Sequence, residues 1–113
     1  MNLALTPVFG RDVTRRPPAF SIIENSGAAA PNRILEFFTA QIRNPHTRRA
    51  YAHAVKRFLE FCHSRGIRAL NQITPVIVAA FVEGDPGSAP TKKLHLAALR
   101  HFFDYLVTGQ IIP

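Results

Sequence analysis

Residues 44–66 carry the clearest structural signal in the chain and read NPHTRRAYAHAVKRFLEFCHSRG. Asn44 followed by Pro45 is a typical helix start, because asparagine caps the first turn and proline lacks an N–H that would be unpaired there. Apolar residues then recur at intervals of three and four, as in an amphipathic helix, and Gly66 ends the pattern. The segment therefore predicts a helix from Pro45 to about Arg65, whose buried stripe is Tyr51, Ala54, Val55, Phe58, Leu59 and Cys62.

Three further helices are predicted around this one, each with its own start or stop signal. The first of the four covers residues 32–43 and has a broad apolar face formed by Ile34, Leu35, Phe37, Phe38 and Ile42. The third, residues 76–83, follows Thr74-Pro75, and its lack of a polar face predicts deep burial. The fourth runs from about Pro90 to Thr108, and Gly109 is expected to end it in the left-handed conformation. Its predicted core residues are Leu96, Leu99, Phe103 and Leu106.

The pattern as a whole predicts an all-α fold, because neither strand-like alternation nor an internal repeat is visible. A chain of 113 residues fits a single domain with one modest core. Residues 32–109 are expected to form a compact four-helix domain with short connections. Residues 1–31 mix prolines, glycines and a run of alanines without a period, which predicts a flexible N-terminal arm.

Composition narrows the class of partner. Fourteen Lys and Arg stand against seven Asp and Glu, and the net charge of +7 points to a polyanion. The longest apolar run, Val76 to Val82, is far shorter than the roughly 20 residues a spanning helix needs, so no membrane partner is expected. No secretory signal is visible, and the single cysteine, Cys62, fits a reducing compartment, so a cytoplasmic location is predicted.

The positive charge is concentrated on two of the predicted helices. Residues 44–68 hold six Lys or Arg and one acidic residue, whereas the only charged residues in the segment 69–90 are Glu83 and Asp85. Residues 91–108 hold three Lys or Arg and one acidic residue. A basic helix face and the exposed N–H groups of a helix start both favour phosphate. Because the phenylalanines fall on the apolar stripes, base stacking is not indicated, and duplex DNA is the predicted partner.

An ordered set of residues resembles a known family. The set comprises His46-Thr47-Arg48-Arg49-Ala50-Tyr51, Phe58-Leu59-Glu60-Phe61-Cys62, residues 70–74, and then Thr91, Leu96, Leu99, Arg100, Phe102, Phe103, Tyr105 and Leu106. With these residues the chain resembles the N-terminal SAM-like, core-binding domain of tyrosine recombinases and phage integrases. The resemblance covers residues 32–113. It implies half of a C-shaped clamp around a recombination site, with the second and fourth helices approaching the DNA.

Carried onto this chain, the resemblance implies site-specific binding of double-stranded DNA in integration and recombination. The candidate contacts, all of them within the two positively charged segments, are Thr47, Arg48, Arg49, His53, Lys56, Thr91, Lys92, Lys93 and Arg100. Other recombinase protomers are the implied protein partners of the full-length protein, and the isolated chain is expected to be monomeric. Residues 110–113 resemble the start of a linker to a catalytic domain that the chain lacks.

No enzymatic activity is predicted for this chain. The family's nucleophile is a tyrosine assisted by arginines, a histidine and a lysine, but Tyr51 and Tyr105 occupy core-like helical positions. Residues 46–49 match the family's catalytic His-x-x-Arg pattern but lack the downstream nucleophile context. Residues 99–103 resemble the family's flanking Leu-Arg-His-x-Phe pattern, but Asp104 stands where that pattern requires arginine. The five histidines show no metal-binding spacing. Neither a metal nor a cofactor is therefore expected.

Two other functions compete with DNA binding by a recombinase domain. A helical protein-interaction module would expose an apolar patch, whereas most large apolar residues here are assigned to the core. A helix-turn-helix repressor would need a turn of three or four residues before its recognition helix, and residues 66–74 are too long for that.

Overall fold

The computed structural model describes residues 17–109 and Ile112, and within them the chain is all-helical, as predicted. Two short turns of other helical types accompany the α-helices. A π-helical turn, Phe37–Gln41, continues the second helix, and a 3-10 turn, Leu70–Gln72, precedes the fourth. The five α-helices of this region are α1, Pro18–Glu24; α2, Ala30–Glu36; α3, Pro45–Ser64; α4, Pro75–Glu83; and α5, Ala89–Thr108.

Helix α3 forms as its sequence predicts. The Asn44 side chain accepts hydrogen bonds from the N–H groups of His46, at 2.8 Å, and Thr47, at 3.2 Å. Gly66 follows the helix with a φ of +85°, a conformation that L side chains rarely adopt. The predicted stripe is buried from Ala54 to Cys62, and Tyr51 at its start is half-buried.

Helix α5 packs against α3, but with a face that differs from the predicted one. The buried residues are His95, Ala98, Leu99, Phe102 and Leu106. Leu96 is 39% exposed, so its assignment to the core face was wrong, whereas Phe103 is half-buried and packs against the core. The helix is apolar over a wide arc, and the sequence does not show that Phe102, rather than Phe103, reaches Phe37. The left-handed ending was also wrong, since Gly109 has a φ of −82°.

Helix α4 is much less buried than its composition predicts. Phe81 is its only buried residue, and Val76 is 75% exposed. An all-apolar helix is deeply buried only where neighbours surround it, and α4 lies at the edge of the domain, packed on α3 and α5. The exposed sides of α4 and α5 form a groove of about 620 Å³, here called the α4–α5 groove. It is lined mainly by Ile73, Pro75, Val78, Ala79, Val82, Leu96 and Phe103.

Helix α1 was missed by the sequence analysis. The prediction of a flexible arm is wrong over residues 17–31, because Ala19 and Ile22 of α1 are buried in the core. The Asn25 side chain donates to the Arg68 carbonyl at 3.0 Å, and the Ser26 hydroxyl accepts from the Leu70 N–H at 2.8 Å. A helix of seven residues is too short to show a clear period. Residues 1–16 of the predicted arm lie outside the described residues.

Replacing Ile22 by alanine tests whether α1 belongs to the cooperative fold. The side chain is fully buried, so the variant is expected to lose about 2–5 kcal/mol of unfolding free energy, measured by urea denaturation. Ile23→Ala, at a half-buried position of the same helix, should lose less. A loss below about 0.5 kcal/mol for Ile22→Ala would show that α1 does not stabilise the domain.

Candidate nucleic-acid interface

The polar side of α3 presents three of the predicted contact residues together. Arg49, His53 and Lys56 are exposed and spaced by four and three positions, so they lie on one side of the helix, opposite the buried stripe. Among the described residues, no carboxylate lies within ion-pair distance of Arg49 or Lys56. This side of α3 is therefore a row of cationic or titratable groups open to an external anion.

Helix α5 presents a second row. Lys93 and Arg100 are exposed and seven positions apart, on the side of α5 away from the core, whereas Lys92 is half-buried. The ion pairs found in the described part of the chain leave both Lys93 and Arg100 without a carboxylate partner. Because α3 and α5 pack directly on each other, with Phe58 and Phe103 ring centroids 5.8 Å apart, the two rows lie on neighbouring helices.

Arg48 has a different environment from its neighbour Arg49. Its guanidinium donates to the Phe38 carbonyl oxygen at 2.5 Å and to the Ile42 carbonyl oxygen at 2.8 Å, and the residue is half-buried. The end of a helix leaves carbonyl groups without partners, and Arg48 satisfies two of them where the π turn ends. We therefore assign Arg48 to the junction between α2 and α3.

Both predicted threonines lie in first turns that are capped by another residue. The Ser88 hydroxyl donates to the Thr91 hydroxyl at 3.0 Å, and the Thr91 N–H donates to the Ser88 hydroxyl oxygen at 3.4 Å. Thr47 is half-buried, and its N–H is bonded to Asn44. The first-turn N–H groups that were expected to favour phosphate are largely engaged within the chain. Phosphate binding at these helix starts must then rely on side chains, assisted by the helix dipole.

A cleft of about 220 Å³ lies where the end of the π turn, the start of α3 and the middle of α5 meet, and it is here called the α3–α5 cleft. Tyr51 of α3 and His101 of α5 approach each other there, with ring centroids 6.1 Å apart. Arg43 and His101 were not among the predicted contacts, because each was placed on a helix face without regard to its neighbours in space. The lining residues are Gln41, Ile42, Arg43, Asn44, Thr47, Tyr51 and His101.

A buried pair of side chains holds the start of α5. Asp85 Oδ2 lies 2.5 Å from His95 Nδ1, and Asp85 Oδ1 accepts from the Gly87 N–H at 2.8 Å. The Gly87 N–H and then His95 lower the pKa of Asp85 below its usual value. The pair ties the turn after α4 to the second turn of α5, and so fixes the backbone that carries Lys92 and Lys93. No pattern in the sequence indicates this pair.

Tyr105 and Cys62 lie in surroundings that disfavour their deprotonated, nucleophilic forms. The Tyr105 hydroxyl donates to Glu36 at 3.0 Å, and burial together with this carboxylate raises the pKa of Tyr105. Burial raises the pKa of the Cys62 thiol to about 12, so it stays protonated. Within residues 17–109 and Ile112, no cluster of three or more metal-ligating side chains is present. None of the described helices is long and apolar enough to cross a membrane.

Comparison with known proteins gives one match. The family model described as phage integrase, N-terminal SAM-like domain, matches residues 36–110 of the chain. The matched region contains α3, α4 and α5 and every candidate contact residue. No curated protein and no solved structure matches the chain.

Proposed function

The chain belongs to the phage integrase N-terminal SAM-like domain family, and on this premise we propose that it binds duplex DNA as the core-binding domain of a tyrosine recombinase. The family supports a recombinase-associated role, and its SAM-like domain is a non-catalytic part of integrases. The observation that carries the proposal is the pair of cationic rows on α3 and α5. Their side chains are exposed, and no carboxylate of the described residues lies within ion-pair distance of Arg49, Lys56, Lys93 or Arg100.

The residues proposed to contact phosphates are Arg49, Lys56, Lys93 and Arg100, with His53 and Lys92 beside them. Lys and Arg bind backbone phosphates through charge-assisted hydrogen bonds, which position a protein on the duplex. The large apolar residues exposed on α3 and α5 include no aromatic side chain, so a platform for stacking single-stranded bases is not supported. Double-stranded DNA fits this surface better.

We propose that the chain itself does not break DNA. Tyr51 packs against His101, and the Tyr105 hydroxyl is bonded to the Glu36 carboxylate, so both tyrosines are half-buried and engaged within the chain, whereas the cationic rows of α3 and α5 are exposed. In a full-length recombinase, the catalytic residues would follow this domain, joined through a linker beginning at residues 110–113. Other protomers would then be its protein partners, and a cytoplasmic location stays a prediction of the sequence.

Charge reversal on each helix tests the proposal against a matched control. Arg49→Glu and Lys93→Glu should each weaken binding to a mixed-sequence duplex and reduce the slope of log affinity against log salt by about 0.9, because each removes a phosphate contact. Arg68→Glu changes the net charge equally at an exposed position outside both helices, and should leave the slope unchanged. Fluorescence anisotropy measures all three. Equal losses at the three positions would show that net charge attracts DNA without a defined surface.

A protein-interaction module is the second candidate, and the α4–α5 groove favours it. Most large apolar residues of the described chain lie in or against the core, as expected, but Val76, Leu96 and four others are exposed. An apolar groove of this kind suits a protein partner rather than a phosphate backbone. A chain that lacks affinity for duplex DNA at low salt would favour this second function.

A further inference from the structure

We propose that the α3–α5 cleft binds one backbone phosphate of the duplex, with Arg43 and His101 as its direct ligands. This inference rests on the proposed function, since it presumes that the domain binds DNA. It adds a site to the two cationic rows and assigns roles to two residues outside the predicted set. The cleft joins the start of α3 to the middle of α5.

The size of the cleft favours a small anion. Its volume of about 220 Å³ lies below the roughly 300–1,000 Å³ typical of pockets for drug-sized molecules. A phosphate group with ordered water fits such a space. The cleft is open to solvent at the surface of the domain, so a phosphate that remains part of a polymer can enter it.

The lining supplies hydrogen-bond donors and no competing anion. None of the lining residues is acidic, and Arg43 is exposed, with no carboxylate of the described chain in ion-pair distance. Thr47 and Tyr51 line the cleft on the α3 side. The N–H groups at the start of α3 are not needed, because Asn44 already accepts from two of them.

The ring of His101 is held in place before any ligand arrives. It lies edge-on to Phe37, with centroids 5.3 Å apart, and edge-on to Tyr51 at 6.1 Å. The residue as a whole is nonetheless exposed, so the ring is supported by packing while its polar edge can reach a ligand. A preorganised donor loses less conformational entropy on binding than a free side chain.

The surroundings of Arg43 hold its backbone in place, while its side chain is exposed. Arg48 donates hydrogen bonds to the Phe38 and Ile42 carbonyl oxygens. Ile42, the residue before Arg43, is buried. Asn44, on the other side, caps α3. The backbone of Arg43 is thus fixed between two satisfied structural elements. A phosphate held by Arg43 and His101 together would contact both the start of α3 and α5, and would set the orientation of the domain on the duplex.

Neutral variants that preserve packing test the cleft. Arg43→Gln removes the charge, and His101→Phe keeps an aromatic ring against Phe37 and Tyr51 while removing the donors. Each should weaken binding of the full chain to a mixed-sequence duplex roughly tenfold, as expected for a hydrogen bond to a charged group. Arg68→Gln removes one exposed charge elsewhere and should change affinity less than threefold, by comparison with the roughly tenfold effect of a direct contact. Urea denaturation confirms that each variant is folded.

The double variant identifies a shared ligand. If Arg43 and His101 bind the same phosphate, the combined loss should be smaller than the product of the two single losses. Binding unaffected by either substitution, together with losses for Arg49→Glu and Lys93→Glu, would overturn the cleft and leave the proposed function standing. Independent losses that multiply would also overturn the shared phosphate. Failure of the unmodified chain to bind duplex would overturn the proposed function itself.

Discussion

Replacing Phe37 by alanine is expected to lower the unfolding free energy by about 3–5 kcal/mol, a large part of the 5–15 kcal/mol typical of a small domain. The side chain is fully buried where α2 runs into the π turn. Its ring lies within 5.5 Å, centroid to centroid, of the rings of Phe38, His101, Phe102 and Tyr105. Removing it leaves a cavity and separates α2 from α5. Urea denaturation followed by circular dichroism measures the loss.

Leu35→Ala provides the control for this prediction. Leu35 lies two positions earlier and was also predicted to face the core, but it is 60% exposed. Its truncation should change the unfolding free energy by about 0.5 kcal/mol or less, as at most surface positions. A loss below about 1 kcal/mol at Phe37, or equal losses at the two positions, would mean that the aromatic cluster does not hold the domain together.

The helices that the sequence predicts best are those whose signals are local. Helix α3 has a capping residue, a proline at its first position, a narrow apolar stripe and a terminal glycine, so its boundaries and its buried side follow from 23 consecutive residues. The starts of α4 and α5 are equally local, since Thr74 and Ser88 each accept a hydrogen bond from an N–H of the first turn.

What the sequence could not show depends on neighbours distant in the chain. Helix α1 is too short for a period to be visible, and it is stabilised by packing and by bonds to Arg68 and Leu70, more than 40 positions away. The composition of α4 indicates apolar surroundings on all sides, but the fold supplies neighbours on only some of them. Because apolar residues cover a wide arc of α5, its packing partners decide that Phe102 rather than Phe103 is fully buried.

In the candidate site, too, some features follow from local sequence and others depend on residues distant in the chain. The rows on α3 and α5 follow from helical spacing, so Arg49, Lys56, Lys93 and Arg100 could be foreseen as exposed cations. The environment of Arg48 could not, because its partners are backbone carbonyls that become available only where the π turn ends. The α3–α5 cleft likewise exists only after α5 has packed against α3.

The second large effect expected is on the salt dependence of DNA binding. Each phosphate neutralised by Lys or Arg releases condensed counterions, and the release becomes less favourable as the salt concentration rises. With Arg49, Lys56, Lys93 and Arg100 alone as about four contacts, the slope of log affinity against log salt is expected to be near −3.6, and a further phosphate in the α3–α5 cleft would make it steeper. Raising salt from about 50 to about 200 mM should then weaken binding roughly 150-fold.

Titration of a mixed-sequence duplex into the chain at these two salt concentrations tests the central claim most directly, with anisotropy as the readout. DNA binding through the exposed cations of α3 and α5 predicts saturable binding at the lower concentration and a roughly 150-fold loss at the higher one. A chain that does not bind duplex at low salt, or whose affinity falls less than about threefold between the two concentrations, would contradict the claim, because four neutralised phosphates cannot give so small a dependence.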